Sequence, residues 1–119
     1  IEHVDNRIKF LSDLSKIAKE NGLVILTTLN KSITSIIIGK FLAENFLKIV
    51  PPGSHDIEKF VAPKQLIKEG KKFNIFFDDL AGFAPIFTLS SIFKRKIHSF
   101  KITSYPIINY GIAGLKITQ

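Results

Sequence analysis

Residues 7–30, RIKFLSDLSKIAKENGLVILTTLN, decide the fold because an amphipathic segment runs directly into an apolar one. The first segment predicts a helix over 5–21, since apolar side chains recur at near-helical spacing at Ile8, Leu11, Leu14 and Ile17. Asn21-Gly22 ends this helix. Leu23 to Leu29 predicts a buried strand, because it is apolar without alternation and rich in strand-forming residues. A helix joined by a two-residue turn to an apolar strand is typical of an α/β layer.

The middle of the chain has a less regular pattern. Residues 33–49 favour a short strand or turn, then a helix from about 39 to 47, and Leu47 to Val50 favours a short strand. The run PPGSH at 51–55 is the strongest break in the sequence and predicts a loop or a minor boundary at 51–56. A short helix is predicted within 57–69, with Pro63 in its first turn and Gly70 past its end.

The C-terminal part predicts strands at 73–77, 86–93, 97–103 and 107–117. Asp78-Asp79 to Gly82 would form a turn, and Lys94-Arg95-Lys96 would form a basic hairpin turn. The predicted fold class is therefore α/β, with a mixed sheet, a helix–strand unit at the N-terminal side and a C-terminal antiparallel meander. The strand at 23–29 would lie inside the sheet. Residues 1–119 would form a single small domain or a fragment of a larger domain.

Composition excludes several kinds of site. The chain has no cysteine, so a disulfide framework, a thiolate zinc site and a cysteine nucleophile are all excluded. No run approaches the roughly 18 apolar residues of a membrane span. The first ten residues are charged and mixed, unlike a signal peptide, and together these features predict a cytoplasmic protein. The chain begins with isoleucine and has no methionine, which predicts a fragment or a processed form.

Positive charge is concentrated in the second half of the chain. Residues 1–60 hold eight Lys/Arg and seven Asp/Glu, whereas residues 61–119 hold nine Lys/Arg and three Asp/Glu. Clustered cations beside phenylalanines suit nucleic acid, because phosphates attract charge and exposed bases stack on aromatic rings. The predicted nucleic-acid-binding residues are Lys94, Arg95 and Lys96 in the basic turn, with Lys71, Lys72 and Lys101 as flanks. Solvated lysines around a phenylalanine core would explain the same pattern equally well.

Other chemistry has weaker support. Gly82 and Gly114 lack the Gly-Lys-Ser/Thr context of a phosphate-binding loop, and no cofactor is predicted. Asp78 or Asp79 could bind a metal ion at a strand end, although an Asp-Asp turn is the commoner explanation. The three histidines have no ligand-like spacing, so no metal site is predicted; they are His3, His55 and His98.

The order of three segments resembles RecA-like ATPases, the group of the archaeal recombinases and circadian-clock-type ATPases. Residues 7–30, FLAENFLKIV at 41–50 and LSSIFKRKIHSFKITSYPI at 89–107 are similar to the elements that follow the Walker B strand in that group. The resemblance implies the C-terminal half of such a core, without its Walker motifs and without ATPase activity. Departures are Thr28-Leu29, where the group has a polar sensor, and Ser90 and Ile92, where it often has Lys and Arg.

Three hypotheses of function follow. The first is a nucleic-acid-binding module of the recombination or DNA-repair type. The second is a non-enzymatic interaction or assembly subunit that uses its Phe-rich strands as an interface with a protein partner or a second copy. The third is a metal-dependent enzyme using Asp78 or Asp79, which the sequence favours least because no partner His or Glu has a useful spacing.

Overall fold

The computed structural model describes residues 1–37, 57–86, 88, 93–94 and 99–118. In chain order these form α1 (Arg7–Ile17), β1 (Leu23–Leu29), a short α2 (Ile33–Ile36), a 3₁₀ turn (Ile57–Lys59), α3 (Pro63–Lys71), β2 (Ile75–Pro85), β3 (Phe100–Thr103) and β4 (Asn109–Lys116). The strands lie side by side in the order β1-β4-β2-β3. Each described pair of neighbouring strands is antiparallel.

Helix α1 is shorter than predicted. The Asn6 side chain caps its start by accepting a hydrogen bond from the Lys9 amide at 2.9 Å. The helix ends at Ile17 because Ala18 is extended, with ψ at 131°. Of the four predicted core positions only Leu11 is fully buried, and Ile17 is 79% exposed. The helix therefore packs along a narrower stripe than its spacing indicated.

The hydrophobic core lies between the two longer helices and one face of the sheet. Leu11 of α1 and Leu66 of α3 are both fully buried. They pack against sheet residues that alternate along the strands, namely Val24, Leu26, Ile75, Phe77, Tyr110 and Ile112. The helices are joined by a bidentate pair, in which Arg7 Nε and Nη2 donate to the Glu69 carboxylate at 2.7 and 2.9 Å.

Strand β2 replaces the turn that was predicted at 78–82. The strand runs through this segment, and Asp78 is the extra residue of a bulge between the pairs Phe77–Gly114 and Asp79–Ala113. Gly114 lies opposite the bulge, where a Cβ would meet the Phe76 carbonyl oxygen and Phe77 Cα. The turn prediction is wrong because a bulge accommodates two consecutive carboxylates without ending the strand.

The α/β class is confirmed, and the strand predicted at 23–29 has the observed bounds. Within the four described strands, β1 lies at an edge and not in the interior. The predicted strand at 107–117 is observed as the shorter β4, and the described part of the strand predicted at 97–103 contains β3. Gly70 lies within α3 and not past its end. The predictions for 39–50, for the boundary at 51–56 and for most of 86–93 fall outside the described residues.

A search of the described part of the chain finds no helix long and apolar enough to cross a membrane. The same part holds no group of three or more metal-binding side chains.

Candidate functional site

A cavity lies where the carboxyl end of β1 meets the amino end of β4. Its volume is about 240 Å³. The wall is formed by seven residues, Glu2, Thr27, Thr28, Leu29, Phe83, Asn109 and Tyr110. In open α/β sheets ligands bind in the crevice outside the carboxyl ends of strands, so this is the expected place for a site.

Strand register brings these residues together from distant parts of the chain. Asn109 pairs with Leu29 of β1 on one side and with Phe83 of β2 on the other. Thr28 pairs with Tyr110, and both point to the face that the helices cover. The cavity is therefore lined from both faces of the sheet.

Glu2 supplies a negative charge to the wall. Its side chain is 17% exposed, and burial by itself would raise the pKa of this carboxyl. The Glu2 backbone amide, the nearby Thr28 hydroxyl and the amino group of Ile1 all favour the ionised form and together outweigh burial, so the pKa of Glu2 lies below its usual value. The carboxylate is thus ionised at neutral pH and acts as a hydrogen-bond acceptor.

Two buried polar atoms at the cavity have no hydrogen-bond partner among the residues that the structure describes. They are Oγ1 of Thr28, a residue 3% exposed, and Oδ1 of Asn109. The Thr28 hydroxyl helps to lower the pKa of Glu2, but its geometry falls short of a hydrogen bond. An unpaired buried polar group costs about 1–3 kcal/mol, so two of them at one cavity call for a physical explanation.

Tyr110 is a structural member of the wall. It is fully buried, and its hydroxyl donates to the Val61 carbonyl at 2.9 Å. Burial raises the pKa of this phenol well above its usual range, with the nearby Arg7 acting in the opposite direction. The side chain stays neutral near pH 7 and does not exchange protons with a ligand there.

The loop after β1 is tied to the segment before β4. The Asn30 amide donates to the Ile108 carbonyl at 2.8 Å, and its side-chain Nδ2 donates to the Pro106 carbonyl. Ser32 Oγ donates to the Ile107 carbonyl at 2.6 Å. These bonds fix the strand ends on which Thr28 and Asn109 stand, so the cavity has a preformed shape.

The basic residues predicted to bind nucleic acid do not line this cavity. Lys71 ends α3 and Lys72 caps it, just before the start of β2. Lys101 lies opposite Ala84 near the other end of β2, which is roughly 30 Å away along the strand. Lys94 is exposed, and Arg95 and Lys96 fall outside the described residues. The described cations therefore do not form one patch.

Sequence reasoning missed the residues that do line the cavity. Thr28 was considered only as a departure from a phosphate sensor, and Glu2 and Asn109 were not singled out. A usable signal was present, since Thr27 and Thr28 come near the end of the apolar run LVILTTL and the polar Asn109 begins β4. Asp78 and Asp79, weighed above as metal ligands, are exposed on β2.

Comparison with known proteins places the chain beside methyltransferases. A ubiquinone biosynthesis O-methyltransferase from Pelagibacter ubique is 36% identical over 110 residues, which cover 92% of this chain and 42% of that protein. The mitochondrial enzyme of the same name from Dictyostelium discoideum is 39% identical over 82 residues, covering 69% of this chain and 26% of that protein. No family model matches the sequence. The chain spans less than half the length of these relatives.

A solved structure confirms the kind of fold. It is a SAM-dependent methyltransferase from Thermotoga maritima, described as a possible histamine N-methyltransferase. The match has a TM-score of 0.57 and 18% identity, and it covers 96% of this chain and 51% of that one. At this identity the likeness concerns the fold alone.

These findings correct the sequence-based interpretation of function. The resemblance to RecA-like ATPases is wrong, because the similar proteins are methyltransferases. The prediction of a nucleic-acid-binding, DNA-repair type of module is wrong for the same reason. The basis of that prediction was the mixture of Lys and Phe, of which Phe77 lies in the core, whereas Phe93 and Phe100 are exposed beside Lys94 and Lys101. The chain is similar in sequence to ubiquinone biosynthesis O-methyltransferases and shares the fold of a SAM-dependent methyltransferase.

Proposed function

We propose that this chain forms part of an O-methyltransferase that methylates a ring hydroxyl in ubiquinone biosynthesis. The observation that carries the proposal is the 36% identity to the Pelagibacter enzyme over 92% of the chain. The position of the cavity supports it, because the end of β1 is where an α/β fold places a ligand.

The cavity has the size of an acceptor ring. A cavity of about 150 Å³ is enough to hold benzene. At about 240 Å³ the space leaves room for a ring with small substituents. The wall combines apolar Leu29 and Phe83 with polar Thr28 and Asn109, a combination that suits a hydroxylated aromatic compound.

This cavity does not fit the whole methyl donor S-adenosylmethionine. Pockets for ligands of that size span roughly 300–1,000 Å³, whereas the cavity measures about 240 Å³. We therefore assign to this cavity a role in holding the acceptor.

Glu2 has a defined part in this proposal. Because its pKa is lowered, the carboxylate is a weak base but a constant acceptor for a hydroxyl proton. It would hold a phenol by accepting its hydrogen bond within the cavity.

The experiment is a methyl-transfer assay on the protein at its natural length. Purified protein is incubated with S-adenosylmethionine carrying a labelled methyl group and a prenylated catechol. Label on a ring oxygen is the expected result. A second arm expresses the protein in a bacterium that lacks its own ubiquinone O-methyltransferase and measures ubiquinone. Absence of labelled product together with absence of ubiquinone would overturn the proposal.

We also propose a cytoplasmic location, because a chain without cysteine is compatible with a reducing compartment. Fractionation of cells followed by detection of the protein in the cytoplasmic fraction would support it, and recovery in another compartment would contradict it.

A further inference from the structure

We propose that Asn109 orients the acceptor by accepting a hydrogen bond from it, and that Phe83 forms the wall on which the acceptor ring lies. This proposal rests on the function proposed above and deepens it. It names positioning residues that set acceptor affinity and acceptor choice.

The first step of the argument is the register around Asn109. This residue is the first of β4 and has Leu29 and Phe83 as its two cross-strand neighbours. Directly opposed residues have Cβ atoms about 4.5–5.5 Å apart, so the amide and the aromatic ring share one short stretch of wall. An aromatic ligand can pack on the ring of Phe83 while a ring substituent reaches the amide.

The second step concerns the position of the Phe83 ring. It lies over Gly111, where a Cβ would come within 3.2 Å of Phe83 Cε2 and 3.3 Å of Cζ. The absence of a side chain at Gly111 therefore lets the ring lie close to the sheet. A methyl group at this position would push the ring away from its present place.

The third step concerns a missing hydrogen-bond donor. Asn109 Oδ1 is buried and lacks a partner among the described residues, whereas the neighbouring Tyr110 hydroxyl is bonded to Val61. Such an atom is expensive to leave unpaired in a folded protein. A ligand hydroxyl in the cavity supplies the missing donor, so the present state of Asn109 suits binding better than it suits the empty protein.

The test uses the protein at its natural length and a variant that keeps the size of the side chain while removing the polar atom. Asn109→Leu should raise the KM for a prenylated catechol by about tenfold and leave the KM for S-adenosylmethionine unchanged. Gly111→Ala should raise the same KM without removing any polar atom. Thr118→Val, which removes an exposed hydroxyl beyond the far end of β4, is the control and should change neither KM.

Thermal stability distinguishes a role in positioning the ligand from a role in internal packing, because the two predict opposite changes in Tm. Removing an unpaired acceptor from the empty protein should leave the Tm of Asn109→Leu unchanged or raise it. A lower Tm together with an unchanged acceptor KM would show that the amide serves internal packing and would overturn the proposal. An unchanged KM in Asn109→Leu would overturn it as well.

Calorimetric binding of catechol alone separates this proposal from the proposed function. If the wild type binds catechol and Asn109→Leu binds it about tenfold more weakly, the positioning role stands even where no methyl transfer is detected. If the wild type transfers methyl groups and Asn109→Leu matches it, the positioning role falls and the proposed function stands.

Discussion

The two faces of the sheet differ sharply in how they are covered. On one face α1 and α3 bury Val24, Leu26 and Ile112 to 8% exposure or less. On the other face Leu23 and Ile25 are more than 60% exposed, and Ile102 of β3 is 72% exposed. Apolar surface of this extent is typical of a contact with further polypeptide. The described residues therefore bury one face of the sheet and leave large apolar side chains exposed on the other.

The largest expected effect is a difference in the free energy of unfolding between substitutions at two neighbouring residues of β1 that lie on opposite faces. Leu26→Ala should lower the free energy of unfolding of residues 1–119 by about 3 kcal/mol, because it opens a cavity in the core. Ile25→Ala should lower it by less than about 0.5 kcal/mol, because its side chain is already exposed. Urea unfolding followed by circular dichroism measures both values. Equal losses would mean that the two faces are covered alike.

A smaller effect is expected at the clamp between the helices of the covered face. Glu69→Ala should cost about 2 kcal/mol, between the values for surface and buried ion pairs, because it leaves Arg7 without its partner. Asp13→Ala removes an exposed partner of Lys9 and Lys16 on the same helix and should leave the urea midpoint unchanged. If both variants unfold at one midpoint, the clamp does not stabilise this face.

The same clamp predicts a dependence on pH. The hydrogen bond from Arg7 holds the pKa of Glu69 below 4.5, although burial acts in the opposite direction. A carboxyl whose pKa is lower in the folded state contributes stability above its unfolded pKa, and that contribution is lost as pH falls through the folded pKa. Unfolding of the wild type should therefore become easier below about pH 4.5. Glu69→Ala should remove part of this slope, which a urea series at pH 3 to 7 would measure.

The smallest expected effect concerns the open face. An apolar dye such as bis-ANS should bind residues 1–119, and Ile25→Ser with Ile102→Ser should reduce its fluorescence. Lys9→Ser on the exposed side of α1 is the matched control and should not change the signal. Strong dye binding that survives the double substitution would place the apolar surface elsewhere.

The sequence predicted β1 well and its surroundings less well. LVILTTL is apolar without alternation, a pattern of strands covered on both faces, and its bounds were found at Leu23–Leu29. Its residues are nonetheless alternately exposed and buried within the described structure. The apolar pattern is that of a strand with both faces covered, whereas the described structure covers only one face. Periodicity alone does not show which face of β1 packs against the helices.

The candidate site could not be predicted because it depends on strand pairing. Thr28 and Asn109 occupy neighbouring positions of the sheet only because β4 pairs with β1. Local sequence patterns contain no information on such long-range pairing. The prediction of one basic surface from the charge asymmetry failed for a related reason. Lys71 and Lys101 belong to one half of the sequence, but the length of β2 separates them.

The bulge at Asp78 changes which face of the sheet the later side chains of β2 occupy. Because side chains alternate along a strand, one extra residue reverses which face every later side chain occupies. If β2 were paired without the bulge, Asp79 would enter the core beside Ile112 and Phe83 would turn to the helix side. The bulge instead leaves both carboxylates in water and turns Phe83 to the face of Asn109. A single unpaired residue near the start of the strand thus determines whether the cavity at its far end has an aromatic wall.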